Sequence, residues 1–342
     1  MAFTTVNKST DHFNTLLYTG TGSSNALTGV GFQPDMTWIK VRSEANNHEL
    51  YDAVRGVTKR IYPDLSSAED TNTAGLTAFG TDGFTVNTGG AVNGSSKTYV
   101  AWNWKAGGGA GSSNTDGSLN TTSTSVNTTA GISISKVTTT GSAARTIGHG
   151  LGAVPKMYIV KRTDSSGAYQ VYHQGIGAGK YLEFNEAQQE YSDPGRFNGT
   201  TPTSSVLSIG TEWGSGQTLI VYAFAEVPGF SKFAYWQGNG NANGAFIYTG
   251  FKPAFFISKG TTVGQNWFMY DNKRSPINTV NTYVYTDANN AETTGSNVDF
   301  LSNGIKIRTT SAGLNSNTEF YAGMIFAENT LVGTNNIPST AR

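Results

Sequence analysis

The chain has no cysteine, so disulfides, thiolate metal centres and thiol nucleophiles are all excluded. It also has little charge. Only 13% of its 342 residues are charged, and 23 basic residues cancel 23 acidic ones. Without a basic excess there is no phosphate-neutralising surface, and nucleic acid is not an expected partner. No apolar run approaches the length that spans a bilayer, so membrane insertion is not expected either. The first eight residues lack the apolar core of a secretory signal, and the reading is a soluble chain made in a cytoplasm. Helical periodicity is scarce. Residues 51–70 alone have a faint helical look, and Gly56 and Pro63 interrupt it.

What the chain does have is 42 glycines, 16 tyrosines and 18 phenylalanines among many Thr, Ser and Asn residues, the profile of an all-β protein with many turns. It also repeats itself. Gly31-Phe32-Gln33-Pro34-Asp35-Met36-Thr37-Trp38-Ile39-Lys40 recurs around Pro155 to Lys161 and around Pro253 to Lys259. Glycine permits a positive φ, proline is tolerated at a strand's first position, and the apolar run that follows suits a strand. Each lysine is followed eleven residues later by a tyrosine, at Tyr51, Tyr172 and Tyr270, and the next residues are Asp52, His173 and Asp271. Arg55 and Arg274 follow in the first and third repeats; the second has Ile176. Each repeat closes on an apolar strand ending at Trp104, Phe224 or Phe326. Internal repeats outrank local readings, and these predict three domains.

The expected boundaries are 1–106, 132–232 and 233–342, the last with a polar tail from residue 331. Residues 107–131 are almost entirely Gly, Ser, Thr and Asn. Such a segment buries too little apolar area to repay its ordering entropy, so it reads as a flexible linker. An edge strand over 118–126 lying on the first repeat is the alternative. In the closing strands both faces are apolar: Val100, Trp102 and Trp104 on one, Tyr99 and Ala101 on the other. That predicts central strands covered on both sides, and hence three antiparallel β-sandwiches in series.

The step from lysine to tyrosine-aspartate reads as a hairpin around a polar loop. Centred on Asn46 or Gln265, it would bring Lys40 near Asp52 and Lys259 near Asp271. A ligand pocket of Lys, Asp, Tyr and Arg is one reading. A cross-strand ion pair that pins register is the simpler one, and the low charge of the chain favours placing the trio inside the packing. The repeated positions are therefore Lys40, Asp52, Arg55, Lys161, His173, Lys259, Asp271 and Arg274. The second repeat has lost the full set, as a fold tolerates and a shared mechanism would not.

No catalytic, cofactor or metal site emerges. His12, His48, His149 and His173 lie far apart, and none has metal-ligand spacing. Gly175-Ile176-Gly177-Ala178-Gly179-Lys180 lacks the first glycine of a phosphate loop and has Tyr181 where Ser or Thr must hold magnesium. Neither a nucleophile elbow nor a close carboxylate pair is present. The acidic stretches 69–72 and 287–292 could offer oxygens to calcium but read better as solvated loops. The sequons at Asn93, Asn127 and Asn198 follow from composition.

Taken together, Asp35-Met36-Thr37-Trp38-Ile39-Lys40-Val41-Arg42, Leu50-Tyr51-Asp52-Ala53-Val54-Arg55-Gly56-Val57, Asp82-Gly83-Phe84, residues 99–108 and Ser113-Asn114-Thr115-Asp116-Gly117-Ser118 resemble a repeat in tail-fibre-like and other virion structural proteins of marine tailed bacteriophages, cyanophages included. Gly238-Asn239-Gly240, Leu301-Ser302-Asn303-Gly304 and Phe326-Ala327-Glu328-Asn329 extend it to the third repeat, and the second departs most. The resemblance implies concanavalin-type, lectin-like sandwiches of jelly-roll type and transfers no catalytic residues. It implies a non-enzymatic virion component at the particle surface, most readily a tail fibre that serves host attachment, with head decoration as the alternative. Its partners would be other virion proteins and a host surface glycan, and a homo-oligomer, preferably a trimer, is expected. A polysaccharide-binding depolymerase subunit is the enzymatic alternative.

Overall fold

In the computed structural model, which describes residues 4–330, strands dominate. The only helical pieces among the described residues are a 3₁₀ turn, Ser9–Asp11, and two four-residue helices, Gly90–Asn93 and Ala312–Asn315. No helix there is long and apolar enough to cross a membrane. Every ladder between named strands is antiparallel.

Four strands recur in one order. In the first repeat an opening strand, Phe13–Thr19, pairs with the closing strand, Thr98–Trp104, which pairs with the lysine strand, Met36–Val41, which pairs with the hairpin strand, Glu49–Asp52. The second repeat matches it with Ile132–Thr138, Thr218–Ala225, Pro155–Arg162 and Gln170–His173. Ser231–Gln237, Phe320–Asn329, Lys252–Gly260 and Phe268–Asp271 do so in the third. Register matches too, since Lys40, Lys161 and Lys259 sit opposite Val100, Ile220 and Ala322 on the closing strands. The motif glycines Gly31, Gly150 and Gly250 have φ of 91°, 68° and 77°, a region costly to any residue with a Cβ. Pro155 and Pro253 stand at or near strand starts, each beside a register shift, where a missing N–H breaks few ladder bonds.

The closing strands are central and buried on both faces, as their sequence predicts. In the first repeat the outer face, with Ile39, Val41, Tyr51, Tyr99 and Ala101, packs on Phe84 and Val86 of a smaller sheet. In the second, Tyr158, Val160 and Val221 pack likewise on Leu207 and Ile209. The inner faces do something the sequence reading did not expect. Instead of three cores in series, Phe13, Trp102 and Trp104, Ile134, Met157 and Phe224, and Phe233, Phe255 and Phe326 join in one apolar cluster drawn from all three repeats. The ring of Phe13 lies 5.2 Å from Phe255, Trp104 lies 5.6 Å from Phe255, and Phe224 lies 6.4 Å from Phe326. The first two repeats thus each have a private outer core beside the shared inner one, whereas Phe256, Tyr270, Ile305 and Tyr321 on the outer side of the third are continuous with the shared cluster.

The segment 107–131 also departs from the flexible linker expected of it. Ser123–Asn127 forms an edge strand on Ile132–Thr138 of the second repeat, not on the first. Composition counts apolar burial and misses what anchors this stretch, which is polar. The Asp35 carboxylate accepts the backbone N–H groups of Ala106, Gly108 and Gly109 at 2.7, 2.9 and 2.6 Å, and the Thr124 hydroxyl is bonded to Thr121 and Ser135. The tail at 331–342 lies outside the described residues.

Candidate functional site

The hairpins form, but their pivots fall two residues earlier than predicted, which puts the pairing four residues off the predicted register. Met36 pairs with Asp52 and Ile39 with Glu49, which puts Lys40 across from His48. By the same ladders Lys161 falls across from Tyr169 and Lys259 across from Trp267. A four-residue slip, being even, preserves the faces of a pleated strand, so Lys40 and Asp52 share the inner face at opposite ends of the hairpin. The predicted lysine–aspartate pair is not made.

Each lysine is instead capped by carbonyl oxygens. The Lys161 ammonium donates to Gly167 at 2.8 Å and to Ser66 of the first repeat at 3.0 Å. Lys259 donates to Gln265 and, at 3.2 Å, to Glu186 of the second repeat. Lys40 donates to Val41 at 2.7 Å and Glu44 at 3.3 Å. All three lysines are buried. Burial is what pulls each amine down to about 8. The opposing residue supplies a ring, with the ammonium 5.2 Å from Tyr169 and 5.7 Å from Trp267. That residue is held in turn by a side chain whose role the sequence reading missed: Asp64 accepts the backbone N–H of His48, Asn185 that of Tyr169 and Asp287 that of Trp267. Burial raises Asp64 to about 7 and Asp287 to about 6. The exchange of Asp for Asn in the second repeat hides this position from inspection.

At the other end of the hairpin the predicted Asp–Arg unit is present. Asp52 accepts the backbone N–H of Arg55 at 2.8 Å and its Nε at 2.5 Å, and Asp271 binds Arg274 with the same two lengths. A further donor comes from elsewhere in the chain. The Tyr222 hydroxyl of the second repeat donates to Asp52 at 2.7 Å, and the Trp102 indole N–H of the first donates to Asp271 at 3.1 Å. His173, which replaces the aspartate in the second repeat, accepts the Gly175 N–H at 3.1 Å and lies beside Gly323 and Met324 of the third. Burial holds its imidazole down at about 4. Tyr222, Met324 and Trp102 are equivalent positions on the closing strands, paired with Ile159, Ile257 and Trp38. The first repeat therefore plugs into the second, the second into the third, and the third into the first.

Main-chain bonds close the same ring. The N–H groups of Glu69, Glu190 and Glu292 donate to the carbonyls of Thr163, Thr261 and Arg42 at 2.9, 2.8 and 3.0 Å. The glutamate side chains find cations at 3.3 Å in Arg55, 2.5 Å in Lys180 and 2.8 Å in Arg42. The acidic stretches weighed for calcium are thus committed to protein cations, and no group of three metal-ligating side chains is present among the described residues. Lys180, in the stretch that looks like a phosphate loop, is held by Glu190. Arg55 and Arg274, less than a tenth exposed, have no path to a solvent-borne substrate. Chemically, the eight repeated residues form a joint.

The sequence profile of one protein family, a domain of unknown function (DUF7483), matches residues 8–330, so the match runs through all three repeats as a single unit. No curated protein matches.

Proposed function

We propose that this chain, which belongs to the DUF7483 family, is a non-enzymatic structural component of a bacteriophage virion, the compact knob of a tail fibre or similar appendage that serves host attachment. One observation supports the structural half of this reading. The charged residues that the repeats preserve are spent on one another and on backbone groups at the three repeat junctions, with Lys40, Lys161, Lys259, Asp52 and Asp271 fully buried. A chain that keeps a joint and not a reaction centre is built to hold shape. The virion half rests on the resemblance of residues 35–57, 82–84 and 99–118 to repeats of phage appendage proteins.

In this reading each repeat is a lectin-type sandwich, and the three are fused through their inner faces into one body displayed at the particle surface. Neighbouring virion proteins or further copies of the chain hold it there, and a host glycan is the surface it meets. Immunogold labelling of particles from the phage that encodes the chain tests it. Label on the tail supports the proposal, and label on the head redirects it to decoration. Absence of both label and peptides from purified particles would overturn it, as would release of reducing sugar from host polysaccharide by the chain alone.

A further inference from the structure

The three repeats act as controls for one another, and one place in the third breaks the pattern. Leu50 bridges Ile61 in the first repeat, Val171 pairs with Leu182 in the second, and Met269 pairs with Val284 in the third, which fixes equivalent positions on either side of the turn after the hairpin strand. Three residues separate Arg55 from Lys59, and three separate Ile176 from Lys180; seven separate Arg274 from Thr282. The four additional residues leave the hairpin and the junction unchanged, since Arg274 binds Asp271 just as Arg55 binds Asp52. The inner ring has no use for them.

What they build is a cavity of about 310 Å³ between the turn and the strand Thr293–Leu301. Val280 and Phe300 form an apolar floor, Ile277 stands on the rim, and Lys252, Asn272 and Ser275 supply polar groups. Ile277 is 79% exposed, more than any other large apolar side chain among the described residues. The turn is clamped at both ends. The Asn278 amide donates to the Phe300 carbonyl at 2.9 Å and accepts the Phe300 N–H at 2.9 Å, and the Ser275 hydroxyl accepts the Thr282 N–H at 3.2 Å. The pocket is therefore formed before any ligand arrives, which lowers the ordering cost of binding.

The lining selects the ligand class. At the low end of the roughly 300–1,000 Å³ range of ligand sites, there is room for one small molecule. The apolar floor asks for a flat hydrocarbon face, and the amide of Asn272 asks for a hydroxyl partner. Lys252 is neutralised by Glu328 at 2.5 Å, so an anion would meet Glu328 and a cation Lys252, each at the expense of that pair. We infer that the third repeat carries a binding site for a single neutral saccharide ring, with one face of the ring on Phe300 and Val280 beneath Ile277 and its hydroxyls toward Asn272 and Lys252. The inference stands on this pocket and needs no particular place in a particle.

Saturation-transfer difference NMR on the full chain, with a panel of neutral hexoses beside glucuronate and glucosamine, tests it. A neutral pyranose should bind with a Kd of about a millimolar, as befits one small weakly held ligand, and the charged sugars more weakly. Ile277→Ala and Asn272→Ala alter residues outside the core, so the melting curve should not move; together they should weaken binding at least about fivefold, the loss expected from one apolar and one polar contact. Shortening the turn by deleting residues 276–279, to the length found in the first repeat, should abolish binding. No transfer to any neutral sugar would overturn the site, as would transfer unchanged in the double variant or stronger to a charged sugar.

Discussion

Tyr222 donates its hydroxyl to the Asp52 carboxylate at 2.7 Å across 170 residues of chain, and so ties the second repeat to the buried ion pair of the first. Asp52 also neutralises Arg55, whose side chain is 1% exposed. Asp52→Ala would leave that guanidinium only the longer contact to the partly exposed Glu69 at 3.3 Å and should cost about 3–5 kcal/mol, whereas Tyr222→Phe, which removes one hydrogen bond, should cost about 1–3 kcal/mol. Denaturant midpoints measure both. A midpoint for Asp52→Ala equal to the parent's would show that Arg55 finds another partner.

Asp35 makes a second separable prediction. Its carboxylate collects three backbone N–H groups at the start of the segment joining the first two repeats, and Asp35→Ala leaves all three without a partner. The loss should be about 1–3 kcal/mol, with hydrogen exchange at Gly108 and Gly109 accelerated first. Unchanged protection there would mean that the edge strand, Ser123–Asn127, holds the segment without Asp35.

These residues show how much the sequence reveals. The repeated glycine, proline and lysine, the two-faced closing strands and the Asp–Arg unit were legible because local backbone requirements and a period of two leave a mark at fixed spacing. The register of the hairpin was not, since a loop's midpoint need not be its pivot. Tyr222 and Trp102 read as core residues and turned out to be donors as well; their partners lie 170 and 169 residues away, where no spacing rule reaches. That Asp64, Asn185 and Asp287 are equivalent acceptors escaped notice for two local reasons, although Asp287 lies in one of the acidic stretches weighed for calcium. One of them is an amide, and the four-residue insertion moves another out of step.

The buried histidines and lysines predict the response to pH. His173, depressed to about 4, and His48, held well below its ordinary value by burial, stay neutral in the folded chain while the unfolded chain protonates near 6.5. Their stabilisation is present above pH 6.5 and is lost as pH falls toward 4. Asp64 and Asp287 act in the opposite sense. Raised to about 7 and about 6, they stabilise below pH 3.8 and lose that contribution as pH rises through those values. Histidine proton shifts separate the two effects: neither His48 nor His173 should titrate down to about pH 5. Titration of either near 6.5 would contradict their burial in the ring.

On the alkaline side the three lysines act together. Each is lowered from 10.5 to about 8, so the folded chain releases protons that the unfolded chain keeps. The stability they contribute is full above 10.5 and is lost as pH falls from 10.5 to about 8, so the denaturant midpoint should rise between about pH 8 and 9.5, before tyrosine ionisation opposes it. Lys161→Met should flatten part of that rise. A midpoint that falls steadily above pH 8 in the parent would contradict neutral buried lysines.

The central claim is that the three repeats are one cooperative body, joined by a shared inner core and closed on itself through Asp52, His173 and Asp271. Differential scanning calorimetry of the full chain, alone and with Trp104→Ala, tests it most directly. Trp104 lies in the shared core, and its loss should cost about 3–5 kcal/mol. A single transition whose calorimetric and van't Hoff enthalpies agree, moved as a whole by the substitution, is the predicted result. Two or three resolved transitions, with only the first repeat's displaced by Trp104→Ala, would contradict it.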